Sequence, residues 1–528
     1  MAFINKETIK DWLGDLPLTA EVYWYLRQPG KPISGNFSLA RLEKHLPDWR
    51  SLIETYRRGS PPGRKVLIFG TLRYWIEHTT LLGMTLSGLG NKVSLAYLPF
   101  ANWRESMSRF NLRQQDAYVH NILEQAIPIL NIYSLMMVKK VKVLPYELQI
   151  AVEANAIRDT QYSFQVEDID PTSQLFGLRL ERDRNAARAA LAWMQANRPD
   201  VVITPNGSIL EFSAVYQVAR YLDIPVVTYE FGEQRQRIWL ARNGEVMRQE
   251  TDDLWRACKC LTLSPEELKQ VKELFAARQR ASLWENFSRR WQGVPSEGGE
   301  KVRKDLNLDD RPVVLLATNV IGDSLTLGRQ VFSDSMTEWL VRTLNFFAGH
   351  PEAQYVVRIH PGELITKGPS VAELVKKVLP ELPAHIHLVQ AGAKVNTYDI
   401  VEIANFGLVY TTTVGMEMAM SGIPAIVVGK THYRGKGFTL DPDTWDTYFG
   451  LLSQVLANPQ EYRLTREQVD AAWNYAYRFF FDYPLPFPWH LLHFWDDVEE
   501  WSIEKVMSAE GQSKFGNTFR CLVGEPVR

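Results

Sequence analysis

Two α/β halves, each on a parallel sheet of Rossmann type, with extra helices at both ends of the chain: this is the fold class the sequence predicts. Three observations carry the expectation. Short apolar runs that end in Gly, Pro or a polar residue alternate with helical stretches, the pattern of parallel strands joined by crossover helices. Two such series occur, separated around 280–310 by a stretch rich in Arg, Lys, Glu, Gly and Ser. The 528 residues also exceed one ordinary core, since domains run to about 100–200 residues each.

The elements follow in order. Residues 1–62 read as helices with an exit at Ser60-Pro61-Pro62-Gly63. Lys65 to Gly70 is the first buried strand, and Val93 to Leu98 the second. Such continuous apolar runs suit parallel strands covered on both faces. Residues 105–195 read as mostly helical, with an irregular acidic segment at Glu167-Asp168-Ile169-Asp170-Pro171. Val201 to Thr204 is a strand, Pro205-Asn206-Gly207 a turn, Leu210 to Leu222 a helix and Pro225 to Tyr229 a strand. The second series starts at Pro312 to Leu316 and continues with strands at Tyr355 to Ile359, Ile386 to Val389, Gly407 to Tyr410 and Ala425 to Val428. Helices are expected near 333–348, 369–379, 397–404 and 414–421. The aromatic-rich tail reads as helical. The expected divisions are a helical extension at 1–62, Rossmann-like domains at 63–295 and 310–460, and a segment at 461–528 that crosses back to the first domain. Ligands of paired domains of this kind bind beyond the carboxyl ends of the strands, in the cleft between the domains.

Composition narrows the function. A formal net charge of -2 gives no reason to expect a nucleic-acid partner, which a basic domain would signal. Three cysteines without a Cys-x-x-Cys pair suggest a reducing compartment and no structural zinc. Residues 1–16 read as an amphipathic helix rather than an export signal, so a cytoplasmic location is expected. No run reaches the roughly 18 apolar residues of a spanning helix. The nearest is Ala126 to Val138, followed by Lys139, Lys140 and Lys142. It reads as a buried helix or, alternatively, as an apolar-basic patch for peripheral contact with the inner face of a membrane. His385-Ile386-His387 lacks a completing Cys or carboxylate. No metal and no cofactor are expected.

Two strand-end motifs carry chemistry. In Arg358-Ile359-His360-Pro361-Gly362-Glu363, residues 358 and 360 should share one strand face. A His there can donate to a phosphate or a leaving-group oxygen; the alternative is a structural hydrogen bond. In Thr411-Thr412-Thr413-Val414-Gly415-Met416-Glu417 a strand runs into a helix whose first N–H groups and hydroxyls suit an anion. Glu417, one turn in, fits either ribose hydroxyls or a capping box. Downstream, Arg434 and Lys436 offer positive charge to a donor phosphate or are simply solvated.

The pair "RIHPGE" and "TTTVGMEMAMSGIPAIVVG", followed by His432 to Gly437, resembles the bacterial capsule-polysaccharide biosynthesis glycosyltransferases, the Kdo-transferase-like and sialyltransferase-like enzymes of the GT-B fold. The resemblance covers mainly 310–450. It implies a nucleotide-sugar donor domain there and an acceptor domain before it. It implies that His360 and Pro361, with Thr411, Thr412 and Thr413, hold the donor phosphate and that Glu417 meets the ribose. The position eight before Glu417 is Val409, not the Glu that many retaining GT-B enzymes carry. Inversion is therefore favoured, and no metal is implied.

An inverting transferase needs a base for the acceptor hydroxyl. Thr228-Tyr229-Glu230-Phe231-Gly232-Glu233 follows a strand and resembles the acidic-x-Gly element of related families, which puts Glu230 in that role. The alternative for Glu230 is a solvated carboxylate or an ion pair with Arg235 or Arg237. The loop at Asn206, with Glu211, is the second candidate for the base, and Arg73 is an acceptor-side candidate after the first strand. The function expected is inverting transfer from a nucleotide-activated sugar, a CMP-linked acidic sugar among the options, to a glycan or glycolipid in surface-polysaccharide assembly. The nucleotide-sugar is a substrate, not a cofactor. A nucleotide-sugar 2-epimerase, a polyol-phosphate transferase and an inactive scaffold of an assembly complex are the alternatives.

Overall fold

The computed structural model describes residues 6–284 and 293–526. The first five residues of the expected amphipathic helix, and residues 285–292 of the expected linker, lie outside the described residues. The chain forms two compact units. One takes Met1–Thr160, Asp170–Met247 and Leu485–Arg528; the other takes Gln161–Ile169 and Arg248–Pro484. The sequence pattern places the divisions differently, at 295–310 and at 461. The helix Pro265–Gln279 packs on the helix Arg466–Tyr477, and both belong to the second unit.

The strands are β1 Lys65–Thr71, β2 Lys92–Leu98, β3 Leu130–Ser134, β4 Val201–Pro205, β5 Val226–Glu230, β6 Arg237–Arg242, β7 Val313–Ala317, β8 Gln354–Arg358, β9 Ile386–Val389, β10 Phe406–Val409, β11 Ala425–Val427 and β12 Leu485–Pro486. The first unit holds a seven-stranded sheet in the order β12-β6-β5-β4-β1-β2-β3. Strands β5 to β3 along that order are parallel, with Lys65 opposite Lys92 and Val66 opposite Val201. β6 turns back antiparallel, Glu230 facing Trp239, and β12 pairs antiparallel beyond it. The second unit holds a five-stranded parallel sheet, β11-β10-β7-β8-β9.

Covered faces explain the strand sequences. Val66, Leu67, Ile68 and Phe69 are all buried, so successive residues are apolar rather than alternating. Each such side chain contributes about 1.5–3 kcal/mol on burial. The helix Arg73–Gly88 is buried along nearly its whole length, because the helix Ala40–Gly59 covers its outer side.

Two expectations change. The run Ala126 to Val138 contains strand β3, not a helix. β3 lies at the sheet edge, where Asn131 meets water and only its end positions are fully covered. The acidic segment at 167–171 is not simply irregular, because it closes the start of the helix Met336–Ala348. The Glu167 carboxylate accepts the N–H groups of Met336 and Thr337 there, at 2.8 and 2.9 Å.

The chain reverses strand order between β1 and β4 in the first unit and between β7 and β10 in the second. Ligands of open α/β sheets bind at such switch points, outside the carboxyl ends.

Candidate functional site

At the switch point of the first unit, β4 runs into the helix Leu210–Tyr221 through a strained turn. Asn206, Gly207 and Leu210 have φ of 55°, 81° and 55°. Asn and Gly take that region readily, whereas a Leu does not. A Cβ at Gly207 would lie 2.5 Å from Thr228 Cγ2, so the backbone needs a glycine there. Leu210 is held from both ends. Its N–H donates to Asp159 Oδ1 at 2.7 Å, and its carbonyl accepts Asn155 Nδ2 at 3.1 Å.

This turn aims Asn206 at Glu230. The amide Nδ2 donates to Glu230 Oε2 at 2.9 Å, while Asn206 Oδ1 accepts the N–H of Ser208 at 3.1 Å. The other carboxylate oxygen of Glu230 accepts the N–H of Phe231 at 3.1 Å. Burial pushes the Glu230 carboxyl upward, against the two hydrogen bonds, which favour its charged form. Arg235, one expected ion-pair partner, is joined instead to Asp497 at 2.5 Å.

Glu211, the second candidate for the base, is engaged in a buried ion cluster. Its carboxylate is buried 3.1 Å from the Arg179 guanidinium, which also meets Asp159 and Asp183. Burial raises Asp159 to about 6 and Asp183 well above the usual carboxylate range. One guanidinium among three buried carboxylates does not neutralise them all, and burying the excess negative charge favours proton binding. Arg73 forms an i,i+4 pair with Glu77 at 3.1 Å, and 40% of its side chain remains exposed. Trp75 is core, edge-on to Phe212 and Tyr229. His78, which no sequence motif marks, lies beneath this strand end. Its Nδ1 is 3.2 Å from the Tyr229 hydroxyl, and burial holds its pKa down to about 3.

In the second unit, the residues after β7 stitch the two motifs together. Thr318 Oγ1 accepts the N–H of His360 at 3.1 Å, and Asn319 Oδ1 accepts the N–H of Thr411 at 3.2 Å. Neither stands out in the sequence; the signal is a polar pair at the end of a central strand. His360 is exposed, and its Nδ1 accepts the N–H of Gly362 at 3.0 Å. The proton therefore sits on Nε2. Pro361 and Gly362 open a short 3-10 turn that His360 caps. Thr411 Oγ1 is buried with no hydrogen-bond partner among the described residues. The carbonyl of Thr412 accepts the Tyr433 hydroxyl. A Cβ at Gly415 would lie 2.6 Å from that hydroxyl oxygen, so the glycine serves packing.

Most of the expected charged ligands are engaged elsewhere. Arg358 does not share an environment with His360. It is 4% exposed and donates to the carbonyls of Gln390 and Val395 at 2.6 and 3.3 Å; burial lowers its pKa to about 10. Glu363 accepts the hydroxyl of Ser370 and the N–H of Val371, at 2.9 and 3.2 Å, at the start of the helix Val371–Val378. Glu417 is neither exposed to a ribose nor half of a capping box. Its Oε1 accepts Arg278 at 2.5 Å and the Thr413 hydroxyl at 3.1 Å, and Thr413 makes no side-chain cap. The Arg278 guanidinium lies 4.8 Å from the ring centres of both Phe275 and Phe480. Arg434 donates to the Val427 and Pro442 carbonyls and to Asp443. Lys436 is buried against Asp252. At the strand ends lie His360 and the threonine turn in the second unit, and Glu230 with Asn206 in the first.

Among the described residues no helix is long and apolar enough to cross a membrane. No protein-family model matches the chain, and no curated protein matches it. Solved structures do. The chain is similar to the UDP-GlcNAc 2-epimerase of Neisseria meningitidis bound to UDP-GlcNAc, at 13% identity over 79% of this chain and 100% of that one, with a TM-score of 0.26. It is similar to the Streptomyces sp. SF2575 glycosyltransferase SsfS6 complexed with thymidine diphosphate, at 13% identity over 78% and 94%, with a TM-score of 0.21. It is similar, too, to KpsC of Thermosulfurimonas dismutans, a beta Kdo 2,4 transferase, at 18% identity over 52% of this chain and 78% of that one, with a TM-score of 0.33.

Proposed function

We propose that this chain is an inverting glycosyltransferase that moves a sugar from a nucleotide-activated donor to a glycan or glycolipid acceptor in surface-polysaccharide assembly. The observation that carries the reading is the setting of Glu230. A carboxylate offers about four lone-pair sites. Asn206 and the Phe231 N–H occupy one on each oxygen and fix the plane. Burial raises the carboxyl's affinity for a proton, which suits a general base.

In this mechanism Glu230 takes the proton of the acceptor hydroxyl. The hydroxyl oxygen forms a bond to the anomeric carbon as the bond to the donor phosphate breaks on the opposite face, so the configuration inverts. The His360 Nε2–H and the hydroxyl of the partly exposed Thr412 meet the charge growing on the departing phosphate, the kind of electrostatic term that dominates many active sites. A CMP-linked acidic sugar is the donor to try first, on the resemblance of the His-Pro-Gly and threonine motifs.

The test is a panel of CMP-, UDP- and GDP-sugars, with and without glycan acceptors. Donor consumption that depends on acceptor, with an inverted anomeric centre by NMR, is expected. An epimerised sugar formed without acceptor would overturn the reading. So would failure of every nucleotide to bind in calorimetry, which points to a scaffold.

A further inference from the structure

The first unit contains a cavity of about 770 Å³, within the roughly 300–1,000 Å³ of small-molecule sites. It lies past the ends of β2 and β3, against the helices Arg109–Leu123 and Gln174–Asn197 and the turn before the helix Thr19–Arg27. Its apolar lining comes from Leu98, Phe100, Leu112, Leu135, Met136 and Leu178. Two lip residues, Leu18 and Met137, are 67% and 69% exposed. Leu18 also adopts a left-handed φ of 63°, a conformation that costs on the order of 1–3 kcal/mol for such a residue.

The charged lining sets four cations, Arg109, Arg113, Lys140 and Arg182, against three carboxylates, Asp15, Glu21 and Glu181. Arg109 pairs with Asp15 at 2.8 Å, and Arg113 pairs with Glu21. Arg182 and Lys140 form no ion pair with a carboxylate among the described residues. Arg182 donates to the Asn102 and Glu105 carbonyls at 2.7 and 2.6 Å and lies 4.1 Å from the centre of the Phe100 ring. Lys140 has the amide oxygen of Asn185, at 3.3 Å. Burial, then Arg188 and Arg109 nearby, lowers the Lys140 pKa, against a smaller opposing pull from Glu181. The lining thus holds one cation more than it has carboxylates, and a half-buried excess cation favours an anionic ligand.

We propose that this cavity binds a single-chain amphiphile with an anionic head, its chain on the apolar lining and its phosphate or carboxylate at Lys140 and Arg182. The apolar lip gives a longer chain a path out of the cavity. The assignment does not depend on glycosyl transfer, and its test reads binding alone.

The full chain is titrated calorimetrically with dodecyl phosphate below its micellar concentration. Dodecyl maltoside and inorganic phosphate serve as comparators. Saturable one-to-one binding of dodecyl phosphate is expected, with both comparators weaker by about tenfold or more, the scale of one charge-assisted contact. Lys140→Glu should weaken binding by at least that factor. Ser106→Trp, from an exposed position in the lining, should block entry without touching the core; circular dichroism checks that both variants fold. Equal binding of the maltoside overturns the anionic head, and equal binding of phosphate overturns the chain. No binding of dodecyl phosphate, or unchanged binding in folded Lys140→Glu, overturns the site.

Discussion

The imidazole Nδ1 of His360 accepts the N–H of Gly362 at 3.0 Å, and a Cβ on Gly362 would lie 2.7 Å from that same nitrogen. The glycine is what allows the ring to sit over the backbone and present its Nε2 proton. Gly362→Ala should therefore resemble His360→Ala in activity. Each should lower kcat by about 10²–10³-fold, the scale of one lost transition-state donor. Because His360 is exposed, thermal midpoints should move little. Steady-state kinetics beside thermal unfolding checks both; full activity in Gly362→Ala would show that the ring's position does not matter.

Glu230 gives a pH prediction with a definite sign. The base works deprotonated, and burial raises its pKa, so kcat/KM should rise with pH along an acid limb set by Glu230. The Asn206 bond favours the charged form. Asn206→Ala should therefore move the acid limb to higher pH, and Glu230→Gln should abolish it together with most of the rate. A carboxyl raised in the folded state stabilises the fold at low pH, and that contribution is lost as pH rises through the folded pKa. Glu230→Gln should accordingly have a higher thermal midpoint than wild type at pH 8 and little difference near pH 4.

The fold was legible where burial is two-sided. β1, β4, β7 and β8 are continuous apolar runs, which the covered faces of a parallel sheet require. β3 and β6 were missed for the converse reason. β3 is a half-exposed edge, and β6 carries arginine at both ends and pairs antiparallel. At the site, residue types were readable but their partners were not. Lys436 looks like a phosphate ligand until it meets Asp252, 184 positions away. Arg358 and Arg434 end on main-chain carbonyls, which every residue possesses and no motif marks. Asn206 and Glu230 stand in separate motifs; the pairing of β4 with β5 and the strained turn together bring them within 2.9 Å.

The Arg278–Glu417 pair tests whether Glu417 is structural. Both side chains are buried. Removing one partner from a buried pair costs about 3–5 kcal/mol. Arg278→Met should therefore lower the thermal midpoint sharply. Glu417→Gln should also destabilise, while the ratio of ribo- to deoxyribonucleotide affinity in calorimetry stays as in wild type. A changed ratio with unchanged stability would return Glu417 to ribose binding.

The cluster behind the Asn206 turn should make the first unit sensitive to pH. Asp159 is raised to about 6 and Asp183 well above the usual carboxylate range, chiefly by burial. Raised carboxyls contribute stability that is complete below the unfolded pKa of about 4 and lost as pH climbs through the folded values. Thermal midpoints should fall between pH 5 and pH 8. Arg179→Met leaves three carboxylates without their cation and should steepen that fall. Glu211→Gln removes one of the competing charges and should flatten it, with acceptor-dependent activity retained because the Asp159 bond to Leu210 still holds the turn. Loss of activity in a folded Glu211→Gln, with no change in the pH dependence of unfolding, would instead make Glu211 the base and leave Glu230 without that role.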